Sequence, residues 1–153
     1  MPEANATKPP GSPVLQFSVM LPNRTGALES LIRLVQQAGA EILGMSMQDS
    51  RDATVVRIAT TDPESTRQIF LEKGMPHTTC ELLVVALRDP GKGLQDCLRE
   101  LRLAETNIDF AYALIPHPQG KTLMAFHVED YEFGRGVLHN AGLEIVTQDD
   151  LSR

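Results

Sequence analysis

The sequence lacks the features that would place it in several common classes. It has no basic excess: 14 Lys and Arg stand against 20 Asp and Glu, a formal net charge of −6. A nucleic-acid surface needs a positive field, so that class is disfavoured. It has no long apolar run. Leu82 to Leu87 is strand-sized, far short of the roughly 18 to 20 residues of a membrane span. Residues 1–13 are polar and Pro-rich with no apolar stretch of the signal-peptide kind, so a cytoplasmic location is expected. Two cysteines cannot make a disulfide framework. Cys97 shares a predicted helix face with Leu94, Leu98 and Leu101 and reads as a core thiol, whereas Cys80 lies in a predicted strand and could face either way. The histidines, His77, His117, His127 and His139, are scattered without ligand spacing, and His127 alternates with Leu123 and Ala125 as a strand residue does, so no metal is expected. No Ser/His/Asp or Cys/His arrangement and no phosphate-cradling Gly-x-x-x-x-Gly-Lys is present. Neither an enzyme nor a cofactor is expected.

What the sequence does have is regular patterning. Residues 1–13, with four prolines, read as a disordered tail. Val14 to Leu21 reads as a strand. Leu28, Leu31, Ile32, Leu34, Val35 and Ala38 recur at helical spacing, and Gly39 suits the left-handed position that ends a helix. Ile42 to Gln48 and Thr54 to Thr60 alternate as a hairpin around Ser50-Arg51-Asp52. Asp62-Pro63-Glu64 is a helix start, with a capping carboxylate and Pro at the first helical position; Ile69 and Phe70 are its buried residues and Gly74 its stop. Thr78 to Leu87 is long for one strand and is expected to end one unit and begin another. A helix over Gly93 to Leu103, a strand over Asn107 to Leu114, a turn at Pro116 to Gly120 and a strand over Lys121 to Val128 follow. Asp130 then opens a last helix that Gly142 ends, before a closing strand over Leu143 to Thr147. Gly134 and Gly136 inside that helix each cost about 1 kcal/mol relative to Ala, which requires either close packing there or a late helix start. Tyr112 reads as core or interface packing.

The order β-α-β-β-α-β therefore occurs twice. Asn23 and Asp89 are 66 residues apart, as are Leu28 and Leu94; Asp62 and Asp130 are 68 apart, as are Gly74 and Gly142. The seven residues Pro22 to Leu28 join the first strand to the first helix, and Asp89-Pro90-Gly91-Lys92-Gly93-Leu94 is their echo. A polar, Gly-containing turn at a helix N-terminus presents unpaired N–H groups to an anion, so each copy offers one potential small-anion site. The alternative at both turns is plain helix capping by Asn23 or Asp89.

This repeated unit, with its polar-x-x-Gly-x-Leu turn, resembles the ACT domain, a ferredoxin-like regulatory module. In that family Asp or Asn opens the turn, Pro-Gly commonly follows, and a Leu anchors the helix. Copy one has Asn23-Arg24-Thr25-Gly26-Ala27-Leu28, with Thr25 where Pro is usual; copy two has Asp89, Gly93 and Leu94, with Pro90-Gly91 one residue early. The family's Gly-x-Asn-Ile at the second strand survives as Asn107-Ile108 after Thr106, and as Glu41-Ile42 after Gly39-Ala40. The resemblance implies an α+β fold of two tandem ferredoxin-like βαββαβ units over 14–81 and 82–153, with antiparallel sheets and helices packed on one face. It also implies a non-catalytic regulatory protein that binds a free amino acid where two copies meet, between the turn of one and the second strand of its neighbour. Gly26-Ala27 and Gly91 to Gly93 would offer N–H groups to the ligand carboxylate, with Arg24 and Lys92 beside them. Asp89, Asn107, Asn23 and Glu41 would offer oxygens to its ammonium, Asp89 and Asn107 first. A homodimer, or association with a metabolic enzyme, is expected. The residues 19–28 also resemble the start of acetolactate synthase small subunits, which makes a regulatory subunit of such an enzyme the alternative. RNA-recognition domains share the element order but display aromatics on the third strand; Thr54 to Thr60 has none, and Lys121 to Val128 has only Phe126. Acylphosphatases share the order too, but their Gly-rich loop and specific Arg are not found here.

Overall fold

In the computed structural model, which describes residues 11–115 and 120–152, the apolar patterning resolves into two helix-on-sheet layers. The elements are β1 (Val14–Leu21), α1 (Ala27–Gln37), β2 (Ile42–Asp49), β3 (Thr54–Thr60), α2 (Pro63–Glu72), β4 (His77–Leu87), α3 (Pro90–Leu103), β5 (Ile108–Leu114), β6 (Thr122–Val128), α4 (Tyr131–Asn140), β7 (Glu144–Val146) and α5 (Gln148–Leu151). The βαββαβ repeat and its antiparallel pairing follow the sequence pattern. α5 does not: four residues are too few to show a helical period. The start of α3 also differs. It begins at Pro90 rather than Gly93, because Asp89 caps it and Pro90 takes the first helical position. Most of the turn expected at Pro116 to Gly120, with His117, lies outside the described residues, as do residues 1–10 of the expected tail. Gly11 to Pro13, read as part of that tail, instead lie against α5, where the Ser12 carbonyl accepts from the Gln148 N–H at 2.9 Å.

Alternation along the strands separates two kinds of core. On the odd-numbered face of β1, Phe17, Val19 and Leu21 pack with Leu31, Val35, Ile58 and Phe70 beneath α1 and α2, with Phe17 and Phe70 edge-to-face at 5.5 Å. The equivalent layer beneath α3 and α4 holds Leu83, Val85, Cys97, Leu101, Phe126 and Leu138. Burial pushes the Cys97 thiol up to about 11, so it stays a protonated core group, as its helix position implied. Gly134 is buried against Val128 and Leu83, where an added Cβ would lie 3.1 and 3.3 Å from their methyl carbons. Close packing, not a late start, accounts for that glycine. The helix-free faces of both halves meet in a third core of Val14, Ala59, Leu82, Val84, Tyr112, Leu114, Leu123 and Ala125 among others.

One strand carries the chain from half to half. Leu82 of β4 pairs with Val14 of β1, and the next residue, Leu83, pairs with Phe126 of β6. The expectation that this strand serves both units matches its pairing. At the far side β2 meets β5 through one bridge, Gly44 to Leu114. The strands β1-β3-β2-β5-β6-β4 thus close on β1 into a barrel-like ring, with β7 beside β4. The single bridge depends on Gly44 lacking a side chain: an added Cβ would sit 2.2 Å from Leu114 Cδ2 and 3.3 Å from its Cα. Among the described residues no helix is long and apolar enough to cross a membrane.

Replacing Gly44 by Val forces β2 from β5 and is expected to destabilise the fold by about 1–3 kcal/mol. Gly136→Ala, where nothing lies within 4 Å of the added Cβ, is expected to stabilise it by about 0.5–1 kcal/mol. Urea unfolding midpoints at constant m-value check both.

Candidate functional site

The two turns have diverged. In copy one, β1 ends at Leu21 and the chain crosses exposed Pro22, Asn23, Arg24, Thr25 and Gly26 before α1. Gly26 holds the N-cap position in the left-handed region, at φ 86°, with no side-chain cap. The Arg24 N–H donates to the Pro22 carbonyl and the Ala27 N–H to the Arg24 carbonyl, at 2.9 and 3.3 Å. The next two amides, of Leu28 and Glu29, have no protein acceptor among the described residues, which leaves an open helix N-terminus. Ala27 and Leu28 tuck against the core beneath α1.

In copy two the same place is closed. Asp89 accepts from the Lys92 N–H at 3.4 Å, and its carbonyl accepts from the Gly93 N–H at 2.7 Å. Pro90, Gly91, Lys92 and Gly93 are therefore the first turn of α3 itself, not a loop ahead of it. Gly93 permits contact with Leu87, whose side chain would lie 3.1 Å from an added Cβ, and Leu94 packs into the core beside it. Asp89 caps as Asp62 and Asp130 do, and more loosely: those two accept from Ser65 and Phe133 amides at 3.0 and 3.1 Å. Asp62 also accepts from the Ser65 hydroxyl at 2.7 Å, and these bonds hold its carboxyl below the usual range.

The second-strand residues lie elsewhere. Glu41 is exposed and its N–H donates to Thr61 Oγ1 at 2.9 Å; Ile42 is half-buried beneath α1. Asn107 is exposed and Ile108 half-buried beneath α3. Asp89, Lys92 and Gly93 line a cleft of about 290 Å³ with Arg88, Asp96 and Glu144. Asn107 lines a different, acidic cleft of about 860 Å³ with Glu105, Glu129 and Phe133. Within one chain, Asp89 and Asn107 are not brought together.

A cluster that sequence reasoning missed lies between the helix-free faces. Gln16 is fully buried; the Tyr112 hydroxyl donates to its Oε1 at 2.7 Å, and its Nε2 donates to Cys80 Sγ at 3.3 Å and Ser18 Oγ at 3.0 Å. Burial pushes the Tyr112 phenol well above its ordinary value. Beside it Phe110 stacks on His127 at 4.9 Å, His127 Nδ1 lies 2.8 Å from an Asp109 carboxylate oxygen, and the Arg57 guanidinium sits 4.2 Å from the Phe110 ring centre. Tyr112 is in the packing role its sequence suggested. The available signal was the run of polar residues Gln16, Ser18 and Arg57 at alternating positions of apolar strands. Among the described residues no group of three or more His, Cys, Asp or Glu could hold a metal ion.

A family model described as ACT domain pair matches residues 12–153. Among solved structures the chain is similar to protein BT0572 from Bacteroides thetaiotaomicron, with a TM-score of 0.82 at 14% identity over 94% of this chain and 98% of that one. It is also similar to the ligand-free regulatory subunit of aspartate kinase from Thermus thermophilus, TM-score 0.58 at 9% identity over 84% and 92% of the two chains. The aspartokinase alpha and beta subunits give 0.56 at 16% identity over 84% and 91%. At these identities the likeness is one of fold. No protein of curated function matches the chain.

The Asp62 cap sets an acid limit on stability. The folded-state pKa of Asp62 is depressed, so its contribution is complete above the unfolded carboxylate pKa, near 3.9, and is lost as pH falls through the folded value. Asp62→Ala is expected to cost about 1 kcal/mol at pH 7 and to flatten the acid limb of stability against pH. Asp89→Ala is expected to cost less, in keeping with its longer bond. Denaturant unfolding at pH 7 checks both costs, and a series from pH 2 to 7 checks the Asp62 effect.

Proposed function

The chain belongs to the ACT domain pair family, and from that premise we propose that it is a non-catalytic regulatory protein whose ligand is a free amino acid. A pair of ACT domains fits a regulatory small-molecule-binding role. We take the pair to be ferredoxin-like units over 14–81 and 82–153, sharing β4. The observation that carries the ligand reading is the uncapped start of α1 at Gly26. Two unpaired N–H groups at a helix N-terminus suit the carboxylate of an amino acid, and Asn23 and Arg24 stand beside them.

Copy one, rather than copy two, is the better ligand turn on this reading. Asp89 already places a carboxylate on the first turn of α3, where a ligand carboxylate would be repelled. The ammonium of a ligand at Gly26 needs oxygens that the exposed turn does not itself surround. A second copy of the chain, presenting the start of β2 with Glu41 or of β5 with Asn107, supplies them and makes the site one between chains. Association with an enzyme of amino-acid metabolism is the use proposed for it; regulatory subunits of aspartate kinase share its fold.

A thermal-shift screen against the twenty amino acids tests the proposal. A ligand binding only the native state at 100 times its dissociation constant adds about 2.7 kcal/mol. One amino acid is expected to raise the midpoint and to shift sedimentation toward dimer, with Asn23→Ala weakening it and Asp89→Ala leaving it in place. Twenty unmoved midpoints would overturn the reading.

A further inference from the structure

We propose that the chain has a second ligand site, for a small oxyanion such as a carboxylate or phosphate group, held by Arg57 at the open mouth between the helix-free sheet faces. The site is separate from the turn at Gly26 and does not rest on it.

The first observation is an arginine with no counter-charge among the described residues. Arg33, Arg67, Arg99 and Arg135 have carboxylates within 4.0 Å. Among the other described arginines, Arg24, Arg51, Arg88 and Arg102 are exposed, and Arg57 alone is half-buried. A guanidinium carries five N–H donors and no acceptor. Here Phe110 covers one of its faces, at 4.2 Å from the ring centre. Its hydrogen bond among the described residues is a long one, 3.5 Å from Nη1 to Gln48 Oε1. Asp109, the acid beside Phe110 on β5, is engaged with His127. A half-withdrawn cation with donors to spare favours an anion.

The second observation is what surrounds it. Register places Ser18 of β1 and Ser46 of β2 directly across from Arg57, one on each side, and Thr78 of β4 across from Ser18. Antiparallel partners share a face, so three hydroxyls and the guanidinium form one polar row on the helix-free side. Ala59, two residues along β3, belongs to the inter-sheet core on that same face. The row is accessible: Ser18, Ser46 and Arg57 are half-buried and Thr78 is exposed. The Phe110 ring holds the guanidinium from one side, which leaves N–H donors of its planar fork to grip two oxygens at once.

The test is a ¹H–¹⁵N NMR titration of the full chain with sodium phosphate and with sodium acetate, each against sodium chloride at equal ionic strength. Saturable shifts are expected at Arg57 Nε–H and at the Ser18 and Ser46 amides with one or both anions, and the anion that saturates tells a phosphate site from a carboxylate site. Arg57→Met should abolish them. Arg57→Lys, which keeps the charge but lacks the planar fork, should weaken binding about tenfold or more. Absence of saturation with both anions, shifts confined to the Leu28 and Glu29 amides, or equal binding by Arg57→Met would overturn the proposal. Because the amides of α1 report separately, failure here and failure of the amino-acid reading are distinguishable.

Discussion

Everything in this fold depends on covering the second face of each sheet. The two helices of a βαβ-β-αβ half can protect one face only, and alternation along a strand makes the other face just as continuous. Val14, Leu82, Val84, Leu123 and Ala125 would stand in water if the halves were apart, each at a cost of roughly 25 cal/mol per Å² of apolar surface. Putting the two bare faces together removes that cost and turns two marginal half-cores into one molecule. The shared strand β4, the Gly44 contact and the ring closure are the geometry by which this is done.

The close approach of β2 and β5 follows from side-chain size. Gly44 and Leu114 allow the backbones of β2 and β5 to approach. Further along, the Arg57 guanidinium sits over the Phe110 ring. The apolar interior thus grades into a polar rim through Gln16 and Tyr112, whose mutual hydrogen bond satisfies two buried groups at once.

Most of the fold was legible because its signals are local. Periodicity, the Asp62 and Asp130 caps and the stops at Gly39, Gly74 and Gly142 each act within a few residues, and the spacing of the repeat joined them into two units. The start of α3 is the exception: the echo of the first turn points to Gly93, whereas Asp89-Pro90 repeats the Asp62-Pro63 signal of α2 and sets the observed start at Pro90. Candidate site residues were less legible. Asp89 and Asn107 look alike in sequence whether they cap, bind or merely face solvent, and only the cap geometry and the separate clefts distinguish these roles. Arg57 and Phe110 are 53 positions apart and meet only through the closed ring, which no local pattern announces.

The contact between Gln148 and β1 bears on the order in which the chain is made. Gln148 Oε1 accepts from the Leu15 amide across a separation of 133 residues, and its Nε2 donates to the Thr60 carbonyl. A ribosome delivers β1 well before Gln148. The first half can acquire its helices and its own core while its bare sheet face still waits for β5, β6 and α5. Throughout that interval the nascent chain displays an adhesive surface of the sort that chaperones recognise. The short helix after β7 is therefore a seal that the second half applies to the first, and the first sheet cannot be fully covered before residue 148 has been made.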